Sequence, residues 1–406
     1  MMKVLHITPH LGGGVGAVLL NWIINDKSKE HNIVTLDYAN ENALNVCKKN
    51  GIKILSECKN DRIIKLMSEF DIVLIHFWNH PLLYDFLIRN KLPKSRIAIW
   101  AHISGIKAPQ VFNEKLTDLS DKFVFTTPIS RNYFVGDIKK TACILSTSGV
   151  SRFQNVKKAP HEGCNACYIG TLDYAKMNKE YINVLSKTNV SDIFITGWGK
   201  DESDFSKTED KKFKYTGMVD DISIVLKKSD IFAYLLNPNH YGTGEQVLQE
   251  AMSAGVVPVV LNNPCEQALV KHMQTGLIAN NYEEYAQYIN LLVQNSDLRK
   301  KLSKNAKKYA KENFSLTNMI KNWNSVFDEL VKIPKTEKAW NYTKKTKTSY
   351  DIFIESLGKN SDIFENKSVS DIKQILKYPE WSSDSKGTPK QYYKFLGGEK
   401  LKEILQ

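Results

Sequence analysis

The sequence predicts an α/β protein of two tandem doubly wound, Rossmann-like domains followed by a small helical C-terminal extension. Short apolar runs alternate with helical patterns through about the first 330 residues, which is typical of parallel sheets flanked by helices. This alternation stops in a polar, turn-rich stretch at residues 146–163 and then starts again. The length of 406 residues also suits two domains better than one.

The apolar runs predict five strands in each domain. In the first half they lie at residues 3–8, 32–38, 71–77, 96–101 and 122–127. In the second half they lie at residues 166–170, 192–197, 214–217, 230–236 and 256–261, with helical patterns at 282–294, 296–312 and 315–331. The predicted domains are therefore an N-terminal domain at 1–155, a C-terminal domain at 160–331, and a basic helical extension at 335–406.

Composition narrows the class of protein. With 42% hydrophobic and 25% charged residues, and no apolar run long enough to span a bilayer, we expect a cytoplasmic globular protein. Six cysteines do not make a disulfide framework in so long a chain, and the lone pair Cys164 and Cys167 lacks the further ligands of a zinc site. The net charge of +12 is compatible with an anionic membrane surface or a polyanionic substrate. A nucleic-acid partner is not expected, because no recognition signature accompanies the charge.

A glycine loop follows the first predicted strand. In doubly wound sheets ligands bind beyond the carboxyl ends of strands, and Gly12, Gly13, Gly14 and Gly16 lie at such an end. They let the backbone approach a phosphate or sugar, so we predict that Gly14 contacts such a ligand. The spacing is not that of the dinucleotide fingerprint, which leaves a nicotinamide site or a plain tight turn as weaker alternatives.

Histidines also stand near predicted strand ends. His76 and His102 end or follow the strands at 71–77 and 96–101, and the nearby Gly105 leaves room for a ligand at His102. His102 is therefore the better functional candidate, although a packed, hydrogen-bonded histidine is the commoner case. His10, beside the glycine loop, ranks next.

The stretch YGTGEQVLQEAMSAGVVPVV, residues 241–260, predicts a helix between two strands. Thr243 and Gln246 fit a capping box, so we expect the helix to begin at Gly244 and to offer N–H groups to a diphosphate. Lys176, which follows an earlier strand, supplies a cation. Glu250 lies at the edge of the buried helix face, where a carboxylate can accept two ribose hydroxyls; the alternative is an ordinary surface glutamate.

Residues 241–260, with FKYTGMVDDISIVLKKSDIFAYLLNP before them and ALVKHMQTGLIANN after them, resemble the donor half of retaining glycosyltransferases of the GT-B fold. The particular resemblance is to glycosyltransferase family four. The opening MKVLHITPHLGGGVGAVLLNWI is similar to the first strand and glycine loop of that family, so the likeness spans about residues 2–331. It implies GT-B architecture and a nucleotide-sugar donor.

The resemblance also implies roles for individual residues. Glu250 matches the second glutamate of the family's Glu, seven residues, Glu motif, which holds the donor ribose. The first glutamate falls at Gly242, so the motif is broken, and Glu245 is the candidate substitute. Lys176 matches a lysine that contacts the diphosphate, whereas Thr171 stands where arginine is common.

Further positions follow from the same likeness. Gly170 ends the strand that precedes Lys176 and is expected at the donor site. The backbone around Met218 and Val219 is expected to touch the nucleobase, and His102 to lie near the transferred sugar. The helix at 315–331 is expected to cross back to the first domain.

The predicted function is that of a retaining, hexosyltransferase-type glycosyltransferase, which moves a sugar from a nucleotide sugar to a hydroxyl of a glycan or lipid-linked acceptor in cell-surface polysaccharide biosynthesis. No cofactor and no metal are expected, because the chain contains no DxD sequence. The basic charge favours a peripheral position at the inner membrane face. A sugar-nucleotide epimerase of similar fold and a catalytically inactive nucleotide-sugar-binding module remain as alternatives.

Overall fold

The structure of the chain is a computed structural model that describes residues 1–341 and 347–406. It divides into two compact units. The first unit consists of Met1–Ser148 and Thr317–Gln406, and the second of Gly149–Leu316. Residues 342–346, in the lysine-rich start of the predicted extension, lie outside the described residues.

The first part of the first unit is a parallel sheet with helices between its strands. Its elements are β1 (Lys3–Thr8), α1 (Gly13–Asn25), β2 (Glu30–Thr35), α2 (Glu41–Asn50), β3 (Lys53–Leu55), α3 (Asn60–Glu69), β4 (Ile72–Phe77), α4 (Pro81–Arg89), β5 (Lys91–Ser95), β6 (Ile97–Ala101), β7 (Lys122–Phe125) and β8 (Thr141–Cys143). Seven strands form one sheet in the order β3-β2-β1-β4-β6-β7-β8, and all of its pairs are parallel.

Apolar sequence explains the centre of this sheet. Every residue of β4 and β6 is buried, as expected for parallel strands that helices cover on both faces. The predicted strand at 3–8 is confirmed at both ends, and those at 71–77 and 96–101 are confirmed to within one residue. The glycine loop is confirmed as a turn into a helix, because α1 begins at Gly13 with a positive φ of 60°.

The second unit repeats the architecture. Its elements are β9 (Ala166–Ile169), α5 (Tyr181–Ser186), β10 (Ile193–Thr196), α6 (Glu202–Ser206), β11 (Phe213–Gly217), α7 (Ser223–Leu226), β12 (Ile231–Tyr234), α8 (Gln246–Ala254), β13 (Val257–Leu261), α9 (Pro264–Leu269), β14 (Leu277–Ala279), α10 (Tyr282–Gln294) and α11 (Ser296–Asn313). The six strands form a parallel sheet in the order β11-β10-β9-β12-β13-β14. Both helical patterns predicted at 282–294 and 296–312 are confirmed.

The chain then returns to the first unit. The returning elements are α12 (Leu316–Leu330), β15 (Thr336–Ala339), α13 (Ser349–Ser356), α14 (Val369–Ile375), α15 (Pro379–Ser382), α16 (Pro389–Leu396) and α17 (Glu399–Leu405). On α12, Trp323 stacks on Trp22 of α1 with ring centroids 5.3 Å apart. β15 pairs antiparallel with β5, which adds a two-stranded sheet to the unit.

The C-terminal helices share the core of the first unit. Phe353 and Tyr392 are fully buried in the same apolar cluster as Ile75 of β4. The Tyr392 hydroxyl donates a hydrogen bond of 2.8 Å to Asn79 Oδ1, just beyond β4. The predicted helical extension is therefore present, and its apolar side chains complete a core that the first 148 residues begin.

These contacts change the boundaries that the sequence suggested. Prediction divided the chain at 1–155, 160–331 and 335–406, whereas the structure assigns the last segment, from Thr317, to the first unit. The physical reason is burial of apolar side chains from α13 and α16, which a pattern of helices alone does not assign to a partner. Among helices of the described residues, none is both long and apolar enough to span a bilayer.

Candidate active site

The candidate site of the second unit lies at the carboxyl ends of two neighbouring strands. β9 and β12 pair in parallel, with Ile231 opposite Ala166, so both strands end at the same edge of the sheet. Lys176 follows β9, and Glu245 follows β12 directly before α8. The fold thereby brings together two residues that the sequence proposed separately.

Lys176 and Glu245 form a buried ion pair. Lys176 Nζ lies 3.1 Å from Glu245 Oε2, and the two side chains are 15% and 2% exposed. The hydroxyl of Tyr234, the last residue of β12, donates a hydrogen bond to the same carboxylate oxygen. Burial alone would raise the pKa of Glu245, but Lys176 and its other partners hold it below the ordinary value. Burial would likewise lower the pKa of Lys176, which Glu245 instead raises, so both groups are charged.

His240 extends this cluster to a second carboxylate. Its Nε2 lies 3.1 Å from an oxygen of Glu266 on α9, and its Nδ1 lies 4.0 Å from Glu245 Oε1. The backbone N–H of Gly242 donates to His240 Nδ1 at 3.0 Å, so this nitrogen carries the lone pair and Nε2 carries the proton. The loop between β12 and α8 is therefore folded around a cluster of buried polar groups.

Three of these residues meet the distance requirement for a metal site. The ligand atoms of His240, Glu245 and Glu266 lie within 4.8 Å of one another. They fit a metal poorly, however, because the Lys176 ammonium already neutralises Glu245 and the Gly242 amide already occupies His240 Nδ1. A metal ion would have to displace both interactions.

The start of α8 differs from prediction. The helix begins at Gln246 rather than at Gly244, and Glu245 is its N-cap with φ of 34° and no side-chain capping bond. The expected capping box from Thr243 to Gln246 is therefore wrong. The reason is tertiary: Glu245 takes a left-handed backbone conformation, while its carboxylate meets Lys176 and Tyr234 instead of capping the helix.

Gly242 stands where the resemblance expects a glutamate, and its space is already filled. A Cβ built on Gly242 would overlap Glu245 Oε1 and would lie 3.0 Å from His240 Nδ1. The carboxylate of Glu245 therefore lies where a side chain at position 242 would begin.

Glu250 lies one turn further along α8 and is 5% exposed. Burial raises its pKa from 4.5 to about 7, and Arg152 opposes this shift with Nη2 at 3.6 Å from Glu250 Oε1. The Arg152 side chain is itself 68% exposed and stacks over the ring of Phe153 at 4.4 Å. Near neutral pH, both the protonated and the ionised form of Glu250 are therefore populated, unlike those of an ordinary surface glutamate.

The match to a known protein family lies in this region. The sequence profile of the family described as "Glycosyl transferases group 1" matches residues 152–309. The match contains Lys176, Glu245 and Glu250, around which the site is built. Residues 152–309 therefore resemble group 1 glycosyltransferases.

Relatives and solved structures resemble a longer part of the chain. An uncharacterized glycosyltransferase of Methanocaldococcus jannaschii is 25% identical over 303 residues, which cover 65% of this chain and 76% of the relative. Anabaena HepE in complex with UDP matches with a TM-score of 0.68 at 14% identity, over 81% of this chain and 100% of HepE. A Rickettsia africae glycosyltransferase matches with a TM-score of 0.65 at 15% identity, over 82% and 99%. These likenesses confirm the predicted GT-B fold of two Rossmann-like domains.

Other predicted donor residues follow strands of the second unit's sheet. Gly170 directly follows β9 with an unusual φ of 157°, and Met218 directly follows β11. Met218 is 70% exposed and Val219 is half-buried, so this backbone is open to a ligand. A groove beside Arg152 is lined by Phe153, Asn155, Val156, Lys157, Asp221, Ser223 and Lys227.

The first unit holds the remaining predicted residues. Gly14 is exposed in the first turn of α1, with nothing within 4 Å of where a Cβ would be. His102 follows β6 and is half-buried, as expected for a residue beyond a strand end. His76, by contrast, lies inside β4 and is fully buried, which is the packed, hydrogen-bonded case. His10 stacks on Tyr38, and burial lowers its pKa to about 4.

Several residues of the site were missed in the sequence. Arg152, Tyr234 and His240 contact predicted residues, and Glu266 contacts His240, but none of the four was proposed. The rule that ligands bind beyond strand ends would have marked His240, which follows β12, and Glu266, which follows β13. Arg152 carries no such signal, because it precedes the first strand of its unit.

Proposed function

We propose that this protein is a retaining hexosyltransferase that moves a sugar from a nucleotide diphosphate donor to a hydroxyl of a glycan or lipid-linked acceptor. The observation that carries this proposal is the buried pair of Lys176 and Glu245 at the start of α8, with Glu250 buried on the same helix. Crystals of HepE contained UDP and, in another case, UDP-glucose, which supports a donor of this class.

Lys176 and the start of α8 are proposed to bind the diphosphate. Breaking the bond between sugar and diphosphate places negative charge on the leaving group, which the site must stabilise. A helix start contributes up to about 2 kcal/mol and a charge-assisted hydrogen bond about 1.5–3 kcal/mol. Together they supply about 3–5 kcal/mol, or about two to three and a half powers of ten in rate. No dedicated base is needed, because a leaving phosphate oxygen can accept the acceptor's proton.

Glu245 is proposed to replace the glutamate that is missing at position 242. The Glu245 carboxylate lies where the side chain of a residue at position 242 would begin, so a carboxylate is present beside that position although it comes from a later residue, which supports this. The pair also has a second consequence: Glu245 neutralises Lys176 when no donor is bound, so that the lysine is held in place before the diphosphate arrives.

Glu250 is proposed to bind the donor ribose. Its ionised carboxylate can accept hydrogen bonds from two neighbouring hydroxyls, whereas the protonated form can accept fewer. Since its pKa lies at about 7, ribose binding is coupled to loss of a proton near neutral pH. Gly14, Gly170, Thr243 and Gly244 are proposed to line the donor site with backbone groups.

His102, Met218 and Val219 complete the proposal. Met218 and Val219 are exposed enough for their backbone to contact the nucleobase, and His102 is proposed to contact the transferred sugar. Metal independence is also part of the proposal, because Lys176 provides the positive charge for which other transferases use a cation. An excess of EDTA should then leave turnover unchanged, and restoration of lost activity by a divalent cation would contradict this.

A panel of nucleotide sugars tests the function. Thermal stabilisation identifies the donor, since a ligand at 100 times its dissociation constant adds about 2.7 kcal/mol. Slow release of nucleotide from that donor supports the transferase, and it should disappear in Lys176→Met but persist in the exposed control Lys301→Met. Interconversion of two donor sugars would instead indicate an epimerase, and binding without turnover an inactive binding module. Absence of binding to every donor would refute the proposal.

The net positive charge of the protein bears on where the acceptor is bound. With a net charge of +12, the protein is proposed to dock at an anionic inner membrane face, where a close lysine contributes about 1 kcal/mol. Helix α11 exposes Lys300, Lys301, Lys304 and Lys308. Cosedimentation with vesicles should require anionic lipid and weaken with salt; retention on neutral vesicles at high salt would contradict this.

A further inference from the structure

Trp198 is a large apolar side chain that the second unit leaves exposed at the edge of its sheet. It follows β10 within the sequence GWGK and is 63% exposed. Met218, which follows the adjacent strand β11, is 70% exposed. Among the described residues, none forms a hydrogen bond or a ring contact with the indole of Trp198. We call the side chains of Trp198 and Met218 the apolar patch.

The register of the strands brings the two residues of the apolar patch together. β10 pairs in parallel with β11, and Thr196 is opposite Gly217. The backbone N–H of Gly197 then donates a hydrogen bond of 2.9 Å to the carbonyl oxygen of Gly217. Trp198 and Met218 are the residues that directly follow the two partners of this bond. They therefore lie side by side where β10 and β11 end.

The loop that carries Trp198 is packed tightly against the loop after β9. The backbone N–H of Leu172 donates to the carbonyl oxygen of Trp198 at 3.0 Å. A glycine stands on each side of Trp198, and neither position has room for a side chain. A Cβ on Gly197 would overlap the carbonyl oxygen of Gly170, and a Cβ on Gly199 would overlap that of Leu172. The indole is thereby presented from a backbone that is fixed before any ligand binds.

An exposed tryptophan on a fixed backbone is typical of a binding surface. Its ring buries a large apolar area when a partner covers it, and tryptophan is enriched among the residues that contribute most to binding. The side chain has only two rotatable bonds, so little conformational entropy is lost. A flat aromatic partner suits the indole best, and every nucleobase has such a face.

The apolar patch lies at the same edge of the sheet as the pair of Lys176 and Glu245. The strand order is β11-β10-β9-β12, and the pair lies beyond β9 and β12. Because neighbouring strands are about 4.8 Å apart, the ends of β9 and β11 are separated by about 10 Å. The base and the diphosphate of an extended nucleotide are separated by a comparable distance. A nucleotide whose diphosphate lies at Lys176 can therefore reach the apolar patch with its base.

We propose that Trp198 binds the donor by stacking its indole on the nucleobase, beside the side chain of Met218. Stacking uses the face of the base, which all bases share, whereas the backbone of Met218 and Val219 meets the edge, where bases differ. Trp198 therefore supplies affinity, and the backbone supplies the choice of base. Stacking of this kind rests on the proposed function, because it needs a nucleotide whose diphosphate lies at Lys176.

Titration calorimetry of Trp198→Ala and Trp198→Phe measures the contribution of the stack. The probes are UDP, GDP and ADP, with pyrophosphate as the ligand that lacks a base. Trp198→Ala should raise the Kd of the nucleotide that binds about five- to a hundredfold and leave that of pyrophosphate unchanged. Trp198→Phe keeps an aromatic ring and should recover most of the affinity. Tyr378→Ala, on an aromatic residue of the first unit that is 60% exposed, is the matched control and should change neither Kd.

Fluorine NMR of the full chain labelled with 5-fluorotryptophan observes the stack directly. The chain has seven tryptophans, and Trp198 is the only one between residues 149 and 316, so the other six belong to the first unit. The resonance that is missing in Trp198→Phe is that of Trp198. A saturating nucleotide should shift this resonance, because a stacked base changes the ring-current field at the indole, whereas pyrophosphate should not.

Several outcomes would overturn the proposal. One is an unchanged nucleotide Kd in Trp198→Ala, and another is an unshifted Trp198 resonance at saturating nucleotide. Equal weakening of nucleotide and pyrophosphate would show that the substitution disturbs the diphosphate site instead of removing a stack. Vesicle binding that is lost in Trp198→Ala while nucleotide affinity is kept would assign the apolar patch to a membrane surface. If no nucleotide binds the wild type, the proposed function fails together with the stack, whereas an unchanged Kd in Trp198→Ala refutes the stack alone.

Discussion

Replacing Glu245 with glutamine should make the protein less stable and yet a better binder of nucleoside diphosphates. The change removes one charge from the pair with Lys176 and keeps the size of the side chain. Lys176 Nζ lies 3.1 Å from the carboxylate, and both groups are largely buried. An ammonium would then remain in the interior without its counter-charge, but it would be available to a diphosphate.

The magnitude follows from the distance. At 3.1 Å and an effective dielectric constant of about 20, the attraction is about 5 kcal/mol. Desolvation of the two groups opposes it, and loss of one partner of a buried pair costs about 3–5 kcal/mol. For a unit of this size, that corresponds to a decrease in Tm of about 6–20 °C.

Binding should change in the other direction. A diphosphate that forms a charge-assisted hydrogen bond with the released lysine gains about 1.5–3 kcal/mol, or about a ten- to a hundredfold lower Kd. Turnover of the sugar nucleotide should nonetheless fall, because Glu245 is the proposed replacement for the family's first glutamate.

Calorimetric scanning and titration with UDP and GDP measure both effects. Glu312→Gln, an exposed glutamate on α11, is the matched control and should change neither quantity. A folded Glu245→Gln variant with unchanged Tm and unchanged diphosphate affinity would refute the reasoning, because a buried charge pair cannot be lost without effect on both.

Three further predictions follow from single contacts. Because burial raises the pKa of Glu250 to about 7, donor affinity should weaken up to about tenfold per pH unit below pH 7, and Glu250→Gln should remove this dependence in titrations from pH 5.5 to 8.5. The raised pKa also means that ionisation of Glu250 lowers the free energy of unfolding as the pH rises from 4.5 through 7. Glu250→Gln should therefore be more stable than wild type at pH 8, and a variant that is no more stable would contradict the raised pKa. Gly242→Glu alone should clash with Glu245 and lose activity, whereas adding Glu245→Gly should restore it; strictly additive losses would argue against the substitution. Tyr392→Phe should lower stability by about 1–3 kcal/mol in denaturant titrations, and Tyr393→Phe, on a 38% exposed residue, by less than about 0.5 kcal/mol; equal effects would count against the buried bond.

Much of the fold was readable because parallel strands are buried on both faces. Apolar runs such as residues 71–77 stand out in the sequence, since helices cover both sides of β4. The position of Lys176 and Glu245 at strand ends followed from the same pattern. Their ion pair did not, because the loops after β9 and β12 meet only once the two strands are adjacent in the sheet.

The start of α8 shows the limit of local signals. Thr243 and Gln246 carry the residues of a capping box, but Glu245 meets Lys176 and Tyr234, and this tertiary contact moves the helix start to Gln246. A capping bond contributes about 1 kcal/mol, whereas breaking a buried charged pair costs about 3–5 kcal/mol. The larger interaction therefore decides the backbone.

By itself, the sequence determined two Rossmann-like units, a glycine loop and a basic charge, because periodicity and strand ends are local properties. It also proposed a set of candidate site residues. Tertiary structure alone decided that the C-terminal helices complete the first core, that Glu245 fills the space at Gly242, and that the loops after β9, β10 and β11 hold Trp198 beside Met218. Each of these depends on which strands become neighbours and in what register. No single stretch of sequence contains that information, because the contacting residues are far apart in the chain.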